Sequence, residues 1–170
     1  MKSLNNISIR ILKVSDVSQS YVDWFSDNEV TMFSNNQYGD FSMETQLKYV
    51  EDCIKDKNID LYGIFDSSSH IGNILIDLSD RLHKRAEITY VIGERKYWGN
   101  GVATKAIAHL VKLAKDKYKL HKLIAGCSEK NIGSIKALKA NGFSIEGKRI
   151  SHLYYNNSWQ NQIDMGLILN

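Results

Sequence analysis

The segment Lys96-Tyr97-Trp98-Gly99-Asn100-Gly101-Val102-Ala103-Thr104 places two glycines, a run of backbone amides and a hydroxyl at the start of a helical pattern that reaches about residue 118. A strand-like run over 86–93 precedes it. Glycine lets the backbone come close to a ligand. The first amides of a helix have no intrahelical partner, and the helix dipole favours negative charge beside them. Strand, glycine loop and helix N-terminus in this order therefore form an anion site suited to a pyrophosphate.

The elements that must hold this loop follow from hydrophobic periodicity. Residues 7–12 alternate as a strand, and 17–33 read as a helix with Asp16 as candidate N-cap and a break near Asp27-Asn28. Residues 35–41 are a polar loop. Ser42 can cap a helix that runs to about residue 57 with Leu47, Val50 and Ile54 on one face. Strands over 60–65 and 71–78 flank the turn Asp66-Ser67-Ser68-Ser69. A buried-type strand covers 122–127, a helix covers 133–141 and ends at Gly142, and 143–150 pairs with 162–169 through Asn156-Asn157-Ser158. The order is mixed α and β with a largely antiparallel sheet, in one domain over residues 1–170.

Composition narrows the classes. With 170 residues, 43% hydrophobic and 24% charged, the chain can bury a core of its own. It has no apolar stretch of roughly 18 residues and no apolar signal-peptide segment at its start, which predicts a cytoplasmic protein without membrane partners. Cys53 and Cys127 are far apart and read as reduced, buried thiols; neither they nor the histidines have metal-ligand spacing, so no metal is expected. The net charge of +3 conceals an asymmetry: residues 1–80 carry 6 basic and 13 acidic side chains, residues 81–170 carry 16 and 6. A basic half behind an anion loop suits a multiply phosphorylated ligand, and an acidic half suits a cationic one. No long basic run or aromatic–basic stacking motif points to nucleic acid.

Three stretches together resemble the GCN5-related N-acetyltransferases (GNAT), in their RimJ/RimL-like branch. Glu87-Ile88-Thr89-Tyr90-Val91-Ile92 is similar to the family's central strand, residues 97–106 to its acetyl-CoA loop, and 131–143 to its second coenzyme motif. The resemblance implies a single-domain α/β fold: a mostly antiparallel twisted sheet of about seven strands with about four helices. It also implies an acetyl-CoA-dependent transfer of an acetyl group to a primary amine by direct attack. Two positions depart from the pattern. Lys96 stands where relatives have Gln or Arg. Leu138 falls where many relatives have a tyrosine that protonates the departing thiolate.

Under this resemblance the amides of Tyr97, Trp98, Gly99, Asn100, Gly101, Val102, Ala103 and Thr104 hold the coenzyme phosphates, and Asn131 holds the pantetheine arm. A backbone N–H near Val91 or Ile92 faces the carbonyl oxygen, a placement that can contribute ~3–4 kcal/mol. Ser134 takes over the missing tyrosine's task, or else satisfies the N-terminus of its helix. Glu87 is the first candidate base, directly or through water, because a strand otherwise apolar would partly bury it and raise its pKa. His152 is the second. Cys127 as a covalent nucleophile is disfavoured. The acceptor is a small-molecule or peptide amine. The acidic first half favours a cationic one such as a polyamine or aminoglycoside, and Asn35, Asn36, Gln37, Tyr38 and Asp40 could read it. Apolar edges of the final hairpin could mediate a homodimer. The competing class is a non-catalytic CoA-binding module, a sensor or structural subunit.

Overall fold

A computed structural model describes residues 4–169. Seven strands form one sheet in the order β1-β2-β3-β4-β5-β7-β6. They are β1 (Ile7–Ile11), β2 (Ile59–Asp66), β3 (Ser69–Asp77), β4 (Arg85–Ile92), β5 (Lys122–Ser128), β6 (Ser144–Tyr155) and β7 (Ser158–Ile168). Among the described residues the α-helices are α1 (Gln19–Ser26), α2 (Asn28–Thr31), α3 (Met43–Lys55), α4 (Val102–Asp116) and α5 (Ile132–Ala140). The mixed, mostly antiparallel architecture expected from sequence is present.

Two apolar layers sandwich the sheet. On one face Ile64, Ile74, Ile88, Leu123 and Met165 pack with Ile107 and Leu110 of α4 and Leu138 of α5. On the other, Leu12, Leu61 and Phe65 pack with Tyr21 and Trp24 of α1 and Val50 and Cys53 of α3. The helices start where short polar side chains meet their first amides. Ser42 caps α3 by accepting from Thr45 N–H, and the Thr45 hydroxyl answers the Ser42 N–H.

Several expected boundaries shift for identifiable reasons. Asp16 does not cap α1. Its carboxylate is taken by Arg10 at 2.7 Å and by the Lys13 N–H, and Ser18 caps the helix instead. The buried face of α3 is Gln46, Val50 and Cys53; Leu47 is only half-buried and Ile54 is exposed. Both stripes have helical spacing, and tertiary packing selects between them. The final hairpin is longer than its hydrophobic pattern. β6 runs past residue 150 through an irregularity between Arg149 and Leu153, where Ser151 has φ 46°. Ile145, Ile150 and Tyr154 on this edge strand stay exposed. Of the two thiols, Cys53 is buried and Cys127 only half-buried.

One pairing organises the middle of the sheet. β4 and β5 are parallel and bridge only at Arg85–Lys122, Ala86–Leu123 and Glu87–Ile124. Beyond Glu87, β4 stays with β3 and β5 stays with β7, so the strands fork. The open end of β4 is pinned from the α1 side. The Trp24 ring lies on buried Gly93, where an added Cβ would come within 1.9 Å of the ring. Trp24 Nε1 donates to Glu94, and Gly93 N–H to the Ile71 carbonyl. Gly93→Ala should therefore force the ring off the strand end and destabilise the protein by ~1–3 kcal/mol, read as a lower denaturant midpoint at unchanged slope.

Candidate active site

The fork turns backbone groups into open space. Gly93 N–H donates to Ile71 on β3. Backbone direction alternates along a strand, so Val91 also faces β3, while Tyr90 and Ile92 face the gap. Of the two amides singled out from sequence, it is Ile92 whose backbone points into the fork. The Ile92 carbonyl accepts from Trp98 Nε1 at 2.8 Å, which draws the loop over the end of the gap.

The glycine loop has the geometry expected of it. Gly99 and Gly101 have φ of 72° and 81°, a region that side-chain-bearing residues rarely adopt. Gly101 is the N-cap of α4 and offers no side chain to the first amides, and the first turn of α4 carries no acidic residue. The amides of Val102, Ala103 and Thr104 thus begin a 15-residue helix without a side-chain cap. Asn100 Nδ2 braces the loop through the Lys96 and Trp98 carbonyls. Tyr97 has a different part: its ring is buried and its hydroxyl donates to Asp66 at 2.7 Å, tying the loop to β2. Asn141 Nδ2 donates to the Thr104 carbonyl and so joins the end of α5 to the start of α4.

On the other prong of the fork, Asn131 caps α5, its Oδ1 accepting from Ser134 N–H at 3.0 Å. This leaves the Ser134 hydroxyl free of capping duty. It meets the Tyr90 hydroxyl at 2.7 Å instead. Leu138 is 1% exposed in the core.

The three residues expected to do proton chemistry are not gathered in one place. Ser134 stands at the fork. Glu87 is at the closed end, in the last β4–β5 bridge, and its side chain is exposed, contrary to the burial expected. Arg85 does not cover it, being paired with Asp80 at 2.5 Å. His152 is exposed on the irregular part of β6.

A cleft of about 380 Å³ opens beside the end of β4, lined by Ser20, Asp23, Trp24, Asp27, Glu94 and Lys96, among others. Glu94 is its centre. Burial opposes the charge of this carboxyl, but hydrogen bonds from Trp24, Lys96 and Ser20 outweigh burial and hold it below the ordinary carboxylate range. Sequence reading missed both Tyr90 and Glu94 as site residues. Strand alternation places Tyr90 on the core face with Ile88, but its partner is 44 residues away, and Glu94 meets Trp24 across 70. Among the described residues, no group of three or more His, Cys, Asp or Glu could hold a metal ion, and no helix is long and apolar enough to cross a membrane.

Comparison with known proteins bears on this geometry. YjcK of Bacillus subtilis (strain 168), described as a probable N-acetyltransferase, is 28% identical over 167 residues, covering 91% of this chain and 89% of the relative. The crystal structure of spermidine N-acetyltransferase from Vibrio cholerae in complex with CoA and spermine superposes with a TM-score of 0.84 at 17% identity, covering 96% of each chain. RimL, a ribosomal-protein alpha-N-acetyltransferase in complex with coenzyme A, gives 0.87 at 19% identity, covering 97% of this chain and 95% of its own. The model of the acetyltransferase (GNAT) domain matches residues 6–144, from the start of β1 to the start of β6. The chain belongs to the GNAT acetyltransferases: it is an N-acetyltransferase that draws its acetyl group from acetyl-CoA.

Proposed function

We propose that the coenzyme lies in the β4–β5 fork and that the acceptor is a cationic primary amine entering from the α1 face. The coenzyme pyrophosphate rests on the amides of residues 99–104, with Asn131 beside the pantetheine arm. The thioester carbonyl oxygen faces the Tyr90 and Ile92 amides, donors held in place by the sheet before any charge develops. Val91, with its backbone turned to β3, contributes its side chain only.

The observation that carries the acceptor class is the cleft next to Gly93. Asp23, Asp27 and Glu94 give it three carboxylates against Arg95 and Lys96, and it opens on the sheet face opposite α4. Lys96 is spent on Glu94 at 3.2 Å and Arg95 leans toward Asp27 at 3.6 Å. An alkylammonium ion would find anions there at the mouth of the fork. The Vibrio cholerae neighbour, a spermidine N-acetyltransferase in complex with CoA and spermine, supports this reading.

The amine must lose a proton before it attacks. Glu87, Thr89 and Val91 share one face of β4, and Glu87 is three residues from Tyr90, roughly 10 Å along the strand. At that distance Glu87 serves as base through water.

Three tests follow from these assignments. A β-branched side chain at Gly101 is incompatible with φ 81°. Gly101→Val should weaken CoA binding by about a hundredfold in calorimetry, and retained micromolar binding would remove the phosphates from this loop. Thiol release from acetyl-CoA over a panel of polyamines, aminoglycosides, amino-sugar nucleotides and peptides should favour a polycation. The Asp23→Asn, Asp27→Asn double variant should raise KM for that amine by about fivefold and flatten its salt dependence. Preference for a neutral peptide or a nucleotide would overturn the acceptor class. Glu87→Gln should lower turnover by about tenfold and remove the acid-side limb of the pH profile, since the base must be ionised. A superimposable profile would mean that the amine gives its proton to bulk water.

A further inference from the structure

Tyr90 and Ser134 join the two prongs of the fork. Tyr90 comes from the open half of β4 and Ser134 from the first turn of α5, which follows β5. Their hydroxyl oxygens are 2.7 Å apart, and the Tyr90 hydroxyl is also 3.5 Å from the Ser134 carbonyl. The pair sits at the edge of the apolar core, against which Tyr90 packs together with Ile135 and Cys127. A polar contact there is costly unless its hydrogen bonds are made. It is not explained by helix capping, because Asn131 already serves the Ser134 amide. Ser134 already has a sulfur for a neighbour: it partly offsets the upward push that burial gives the half-buried Cys127 thiol. Burial pushes the Tyr90 phenol up to about 12, so it keeps its proton over the whole physiological range.

We propose that Tyr90 is the positioning residue for departure of the coenzyme sulfur: its phenol donates to Ser134 Oγ and so turns the Ser134 proton into the fork, toward that sulfur. The inference rests on the placement of the coenzyme in the fork. In the transfer, the amine nitrogen bonds to the acetyl carbon, the C–S bond breaks, and sulfur leaves with the electron pair as a thiolate. The amine proton goes to Glu87 or water. The thiolate gains a hydrogen bond from Ser134 and takes no proton from Tyr90, whose phenol is a far weaker acid than a thiol of pKa about 8.5. Tyr90 is thus a fixed donor and Ser134 the group that touches sulfur. Together they occupy the role left open by Leu138, which is sealed in the core.

The experiment uses CoA itself and needs no acceptor. CoA is bound to wild type, Tyr90→Phe, Ser134→Ala and the double variant. Its thiolate is titrated by ultraviolet absorbance, with the CoA-free protein subtracted and calorimetry reporting affinity. The bound thiol of the wild type should titrate about one unit below free CoA, a tenfold preference for thiolate. Ser134→Ala should abolish that shift, Tyr90→Phe should remove part of it with CoA affinity unchanged at pH values where the thiol is protonated, and the double variant should match Ser134→Ala. With an active amine, Tyr90→Phe should lower kcat about tenfold and leave KM for acetyl-CoA unchanged. The inference is overturned if Tyr90→Phe keeps the wild-type thiol titration and kcat, or if its effect persists in the Ser134→Ala background. Absence of CoA binding by the wild type would instead overturn the coenzyme placement.

Discussion

Three residue pairs of parallel sheet, ending at Glu87 and Ile124, are the constraint on which the rest depends. Each strand keeps its outer partner, β3 or β7, so the sheet remains continuous while its centre opens. Backbone groups facing an opening in a core need partners. Part of this need is met from within, as Trp98 meets the Ile92 carbonyl. The rest is what the proposed coenzyme placement would satisfy, through the amides of its pantetheine arm. The crossover from β4 through α4 to β5 also delivers the uncapped start of α4 to the same opening, so the anion site and the slot are consequences of one connection.

Opposite charges belong to opposite faces of that opening. The acidic first half of the chain supplies α1 and its flanks, and these form the cleft against Glu94. The basic second half supplies the loop and α4. In the proposed arrangement a polyanionic coenzyme and a cationic amine approach from different sides without competing for the same field. Gly93 is where the faces meet. With no side chain, it lets Trp24 lie on the strand end, and Trp24 then holds Glu94 in place. A single ring links the acidic cleft to the residue that follows β4.

How much of this was legible in the sequence depended on the range of the interaction. The loop was readable because glycine spacing, helix start and strand end are local and contiguous. The break at Asp27 and the hairpin turn at Asn156-Asn157 were readable for the same reason, being set by residues with strong backbone preferences. The α3 face was misread because Gln46-Val50-Cys53 and Leu47-Val50-Ile54 are both helical stripes, and only packing against β2 and α1 chooses between them. Glu87 was placed on the correct strand, but its exposure depends on Arg85 turning to Asp80. Ser134 was found through its motif, whereas its link to Tyr90 crosses the fork and leaves no periodic trace.

The carboxylates near the opening have environments that separate their roles. Glu94 is oriented by a serine, a tryptophan and a lysine, and these donors favour its charged form over the neutral one. A carboxyl held below the ordinary range is a poor proton acceptor near neutrality and a good fixed anion. It would also be lost as an anchor only when the pH falls through its lowered pKa, well outside the range in which an amine is acetylated. Under the proposed function Glu94 therefore suits binding, and proton removal suits a group in freer contact with water. The proposed base, Glu87, is exposed on the face of β4 opposite α4, where solvent reaches it.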